Sequence, residues 1–267
     1  KLVLILCKLD PNNQRWKKRQ LNVAHQISDP QARGYVIQSI QRVFDNNESN
    51  YGRKLYLIQN CIYGVDIQPI AVQIAKLRCF IALVVEQKID DNIDNRGVLP
   101  LPNLETKFVA ANTLVSLDRP AQMTIRLAEI DVWEEELESV RQFYFTARTI
   151  EEKAKYRDLD AQIRTEIITL LRQDRFLSET TEMIVGWNPY DQNTSANFFD
   201  PEWMFNCQRG FDIVIANPPY LESRHPSFSS ALKNLLQAEI KNYLGSEAPN
   251  IPRGADLLIY FFERSLR

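Results

Sequence analysis

Asn217-Pro218-Pro219-Tyr220 is the stretch of this sequence whose residue types and spacing can do chemistry. Two consecutive prolines donate no backbone hydrogen bonds, so a strand reaching them must stop pairing and pass into a stiff, exposed loop. The side-chain oxygen of Asn217 and the carbonyl of Pro218 are then two acceptors for an exocyclic amino group such as N6 of adenine, whose lone pair is delocalised into its ring. Such acceptors stabilise the positive charge that develops on nitrogen as it is alkylated, without a covalent intermediate or a Cys or Ser nucleophile. Tyr220 adds an aromatic face on which a base can stack, a contact worth about 1–3 kcal/mol. A base held this way has left its duplex. Alone, the tetrapeptide also fits a proline-stiffened surface turn. The apolar run Phe211-Asp212-Ile213-Val214-Ile215-Ala216 directly before it favours the end of a strand.

A second group of candidates lies upstream. Asp66 closes the run Tyr63-Gly64-Val65-Asp66-Ile67-Gln68-Pro69, where a carboxylate can bind the two vicinal hydroxyls of a ribose. Ile67 follows it as a neighbouring contact. The same Asp also fits a plain N-cap of the following helix. Asn112, after Phe108-Val109-Ala110-Ala111, can bond an adenine edge or can simply close a turn.

These residues need strands to deliver them. Residues 55–66 read as a β-rich run, and the stretch from Gln68 to Gln87 as the helix it feeds. Phe108–Ala111 and Phe211–Ala216 read as two further strands, each ending at a polar residue. Open parallel α/β sheets build their ligand crevices at such strand ends, so the expected fold class is α/β with a doubly wound, mostly parallel sheet. A long insertion separates the second and third strands. Within it, Leu137, Val140, Phe143, Ile150, Leu159, Ile163, Ile167 and Leu171 recur at helical spacing and predict a helical hairpin. A turn-rich aromatic segment follows, with Trp187 to Asn193 and Phe198 to Trp203. The expected division is 1–117 for the cofactor side of the core, 118–202 for the insertion and aromatic loop, and 203–267 for the catalytic side.

Composition narrows the class. A chain of 267 residues, 45% of them hydrophobic, can bury a full core. Leu2–Leu6 is too short to span a bilayer, which takes about 20 apolar residues, and reads as a buried helix. Cys7, Cys61, Cys79 and Cys207 show neither metal-ligand nor disulfide spacing, so no metal is expected and a reducing cytoplasm fits best. A net charge of −2 argues against nucleic-acid binding by bulk electrostatics. Locally, however, Arg15-Trp16-Lys17-Lys18-Arg19 can either touch phosphates or form a solvated helix face. The acidic-x-Lys triplets at Glu105, Glu151 and Glu239 arise freely in a charged chain and make a poor nuclease site. His25 and His225 read as surface histidines.

The string FDIVIANPPY resembles motif IV of amino-group DNA methyltransferases, and YGVDIQPIAVQIAKLR is similar to their cofactor-ribose motif and its helix. Gly254 to Glu263 resembles the helix after their catalytic loop. NPYDQNTSANFFDPEWMF is similar to a segment of the large type II restriction-modification enzymes that fuse a methyltransferase to a nuclease, and of related phage-defence proteins.

The resemblance implies a Rossmann-like core and S-adenosylmethionine as cofactor. It implies a flipped adenine in double-stranded DNA as substrate, and a prokaryotic cytoplasmic setting. Asn217 to Tyr220 would be catalytic, with Asp66, Ile67 and Asn112 on the cofactor. Asn in the first motif position favours adenine N6 over cytosine N4, and the long helical insertion counts against a protein-glutamine methyltransferase. The family's Gly-rich first motif has no counterpart here, nor does a target-recognition domain. The expectation is therefore a fragment of a longer parent, with a non-catalytic DNA-binding piece as the competing reading.

Overall fold

A computed structural model describes residues 5, 8–11, 14–25, 30, 33–34, 37–38, 40–41, 49–87, 89–92, 94–98, 101–117, 128–173, 178–207, 209–245, 248, 251–252 and 254–266. Two compact units emerge: Lys1–Tyr63 with Gln73–Pro102, and Gly64–Val72 with Asn103–Arg267.

In the first unit, α1 (Gln14–His25) carries the basic run. Arg15, Lys18 and Arg19 are exposed on it, as a solvated helix face requires. Next comes α2 (Ser49–Asn60), which corrects the β-rich reading over residues 55–60, while Gly64–Asp66 does form a strand. Tyr51, Leu57 and Ile58 are buried, a helical spacing that beats the local β-propensity of Tyr, Leu and Ile. Arg53 is buried beside them and donates to the carbonyls of Asp10 and Pro11. Lys54 pairs with Glu86 at 2.6 Å. Of the opening apolar run only Ile5 is described; it is helical but 52% exposed, so burial is not met there, and the rest lies outside the described residues.

The second unit contains a parallel pair, β1 (Gly64–Asp66) and β2 (Phe108–Ala110), in the register Gly64–Phe108, Val65–Val109, Asp66–Ala110. Helix α3 (Pro69–Val84) follows β1 directly, as in a βαβ connection. Gly64 has a steric reason to be glycine: a Cβ there would stand 2.3 Å from the Phe108 ring. Ala111 extends the ladder by donating to the Asp66 carbonyl and makes a single parallel bridge to Ala196.

The expected third strand does not form. Phe211–Ala216 makes no ladder hydrogen bonds, and Ile213, Val214 and Ile215 are 74%, 48% and 93% exposed. A strand exists only by pairing its N–H and C=O groups, and no described strand lies alongside this run. Phe211 alone is anchored, stacked on Phe199 with ring centroids 6.5 Å apart and edge-on to Phe205.

The helical hairpin is present as α4 (Ala128–Thr146) and α5 (Ile150–Gln173), followed by α6 (Ser178–Gly186). Leu137, Val140, Ile163, Ile167 and Leu171 are buried, whereas Ile150 at the tip is 83% exposed. A capping box opens α5. Thr149 Oγ1 accepts from the Glu152 N–H at 3.1 Å, and the Glu152 carboxylate accepts from the Thr149 N–H at 3.2 Å.

Asp160 ties the hairpin to the aromatic segment. Fully buried, it accepts from Arg141 Nε at 2.9 Å and Arg164 Nε at 2.6 Å. Arg164 then donates to the Trp187 carbonyl, and Arg141 to the carbonyls of Trp203 and Met204. Burial pushes the Asp160 carboxyl up, but the charges and hydrogen bonds of Arg141 and Arg164 outweigh it and hold the group below the usual carboxylate range. A short helix, α7 (Pro201–Phe205), is capped by Asp200, whose carboxylate accepts from the Trp203 N–H at 2.8 Å. The chain closes with α8 (Ser230–Leu244) and α9 (Leu257–Leu266). No described helix is long and apolar enough to cross a membrane.

Candidate active site

Asp66 and Asn112 come together at the C-terminal ends of the two parallel strands, where polar groups can face a ligand. Asp66 is exposed, and its Oδ1 accepts from the Gln68 N–H at 2.8 Å. This is an Asx-turn contact ahead of the helix rather than its N-cap, since the Gln68 carbonyl accepts the first helical bonds from Ala71 and Val72, and it fixes one carboxylate oxygen while the group still meets solvent. Ile67 beside it is 59% exposed. Asn112 is half-buried, and its Oδ1 accepts from the Leu114 N–H at 3.1 Å, so it does close a turn. Its backbone N–H donates to the Ala196 carbonyl at 2.9 Å, fastening it to the segment before Phe198.

Asn217, Pro219 and Tyr220 are exposed and Pro218 is half-buried; Tyr220 is 85% exposed. The loop follows directly on the unpaired run after Phe211. On its far side, the Leu221 N–H donates to the Pro219 carbonyl at 2.9 Å, and the Leu257 N–H to the Leu221 carbonyl at 3.1 Å. The Pro219 carbonyl is thus engaged within the loop. Leu221 also packs against a buried cluster of Leu114, Phe228, Leu236, Ile240, Ile251, Ala255, Leu257 and Tyr260.

That cluster joins the two candidate groups. Leu114 lies two residues beyond Asn112, and Leu221 one residue beyond Tyr220. Arg264 on α9 adds polar ties, donating to the Thr113 carbonyl and the Phe199 carbonyl, each at 3.0 Å. Glu239 on α8 accepts from the Ser116 N–H at 3.3 Å. Sequence reasoning missed Arg264 and Glu239. Their partners lie 65, 123 and 151 residues away in sequence, which no local pattern encodes.

His225 is exposed, and its Nδ1 accepts from the Ser227 N–H at 3.2 Å, a turn contact. Among the described residues no three His, Cys, Asp or Glu side chains gather as a metal site would require.

A parallel β1–β2 pair with a helix between its strands in sequence, in an otherwise helical chain, makes this a mixed α/β protein. Its family is specific: residues 60–267 match the Eco57I restriction-modification methylase family, and the chain belongs to it. A 65-residue stretch is 46% identical to a protein of Methanocaldococcus jannaschii named as a putative type II restriction enzyme and methyltransferase. That match covers 24% of this chain and 5% of the relative's length. No solved structure matches.

Proposed function

We propose that the chain carries the cofactor and catalytic residues of a site-specific DNA methyltransferase acting in restriction-modification, one that methylates N6 of an adenine flipped out of double-stranded DNA. The core carrying them is a doubly wound, mostly parallel Rossmann-like sheet, within a longer prokaryotic cytoplasmic protein that brings further domains. The observation that carries this reading is the Asn217-Pro218-Pro219-Tyr220 loop, exposed and held through Leu221 to the core that also contains Leu114.

The donor set fits S-adenosylmethionine. Asp66 is an exposed carboxylate at a strand end, one oxygen already oriented by the Gln68 N–H, which leaves it able to accept from ribose hydroxyls. Ile67 offers an exposed apolar face to an adenine ring. Asn112 has its oxygen on Leu114, so its amide NH₂ is the group left to donate to a ring nitrogen. When bound, the cofactor supplies an electrophilic methyl group on a sulfonium.

The protein's own residues do the rest by positioning. The Asn217 oxygen and the Pro218 carbonyl accept from the target amino group and favour pyramidal nitrogen. Both oxygens stabilise the charge that builds on it, and Tyr220 stacks on the extruded base. No general base is required, because the alkylated nitrogen is acidic enough to release its proton to water.

Replacement of Asn217 by Ala tests the reading. Transfer of tritiated methyl groups to DNA from a host lacking the methylase should fall below detection, with S-adenosylmethionine affinity by calorimetry unchanged. Undiminished labelling would refute it.

A further inference from the structure

The chain leaving the Asn217–Tyr220 loop is gripped by groups that the reading above does not use. Ser223 donates its backbone N–H to Asp256 Oδ1 at 2.8 Å, across 33 residues of sequence. Next to it in sequence, the Leu257 N–H donates to the Leu221 carbonyl. Ser223 is held from its other side as well, since the Lys233 ammonium donates to its carbonyl and, at 3.3 Å, to its hydroxyl. Lys233 in turn sits over the Phe228 ring, 4.8 Å from its centroid, so the ammonium is fixed on the buried cluster.

Asp256 directly precedes α9, the usual place for a helix cap. Yet the hydrogen bond its carboxylate makes goes to the loop at Ser223. A residue whose side chain is spent on a distant loop rather than on its own helix is placed to fix that loop.

We infer that Asp256 is a positioning residue for the catalytic loop, a carboxylate clamp on the Ser223 N–H, seconded by Lys233, that sets where Asn217 and Tyr220 meet the base. This inference rests on the catalytic reading of Asn217–Tyr220. Asp256 touches neither cofactor nor base; it acts through Ser223 and Leu221. Misplacing reacting groups by about 1 Å can cost about a hundredfold in rate, so a clamp on Ser223, the third residue after Tyr220, has leverage on turnover.

Two readouts separate the clamp from the chemistry. In hydrogen exchange on the chain, Asp256→Ala should speed exchange of the Ser223 amide, with α8 unchanged. Asp256→Asn, which keeps an oxygen acceptor in place, should restore protection. In the full-length protein, methyl transfer to unmethylated host DNA should fall about tenfold to a hundredfold in kcat for Asp256→Ala. KM for S-adenosylmethionine should hold, and Asp256→Asn should recover most of the rate.

Unchanged protection of Ser223 in Asp256→Ala would overturn the clamp. So would a loosened loop with wild-type kcat, or equal losses in both variants together with a lowered melting temperature, which would mark a merely structural role. If Asn217→Ala still methylates DNA, the catalytic reading fails and the positioning role with it. That failure is recognisable because the exchange result stands by itself.

Discussion

At the scale of single residues, what could be read locally is the exposure of Asn217, Tyr220 and Asp66, because each stands where backbone pairing stops. Two consecutive prolines donate no ladder hydrogen bonds, and the Asp after Gly-Val closes β1. At both Asp66 and Asn112 a side-chain oxygen accepts from the N–H two residues on; for Asn112 this is the turn contact that was its plainer alternative, whereas at Asp66 the helix cap is taken by Gln68. At Asp66 the turn contact uses one oxygen of an exposed carboxylate, so that contact and ribose binding are compatible. Asp66→Ala should therefore weaken S-adenosylmethionine binding by about tenfold or more, the loss of a charge-assisted hydrogen bond pair. Calorimetry reads this directly, and equal affinity would remove Asp66 from the cofactor site. The buried Arg141–Asp160–Arg164 triad was not legible. Nothing in a charged helical repeat distinguishes a buried Asp from a solvated one until the hairpin and the Trp187 and Trp203 carbonyls close around it. Asp160→Asn leaves two arginines short of their counter-charge and should cost about 3 kcal/mol, read by urea unfolding. Because its folded-state pKa is lowered, Asp160 contributes stability above the ordinary carboxylate pKa and loses it as pH falls through the folded value. Wild type should accordingly lose stability on acidification more steeply than Asp160→Asn.

At the scale of elements, helical periodicity was the better guide. The α4–α5 hairpin follows from apolar spacing, and β2 stands where Phe108-Val109-Ala110 placed it. Two strand assignments went the other way for different reasons. Residues 55–60 are aromatic and aliphatic enough for a strand, but Tyr51 and Ile58 complete a helical face that burial rewards. Residues 211–216 have strand composition, yet composition cannot supply a neighbour, and residues 212–216 stay unpaired and exposed between the anchors at Phe211 and Leu221. The β1–β2 pair carries a sharper test. Gly64→Ala forces a methyl group into the Phe108 ring and should destabilise the chain by about 1–3 kcal/mol. Phe108→Leu should relieve part of that loss in the double variant. Additive losses in the unfolding midpoints would show that the ring and the glycine do not oppose each other.

At the scale of the whole molecule, composition bounded the class and the motif strings narrowed it. Family membership over residues 60–267 agrees with them. What composition and motifs could not reach is the set of long-range ties, Arg264 to Thr113 and Phe199, Glu239 to Ser116 and Asp256 to Ser223, that fasten α8 and α9 to the residues after Asn112 and the start of α9 to the chain after Tyr220. These ties place the two candidate groups on one core, and the central claim is that this core methylates adenine in DNA. The most direct measurement is to incubate the full-length protein with unmethylated host DNA and S-adenosylmethionine bearing a deuterated methyl group, then digest the DNA and identify the labelled nucleoside by mass spectrometry. The account predicts deuterated N6-methyladenine, lost in Asn217→Ala. Label on cytosine N4, or no label in the DNA, would contradict it.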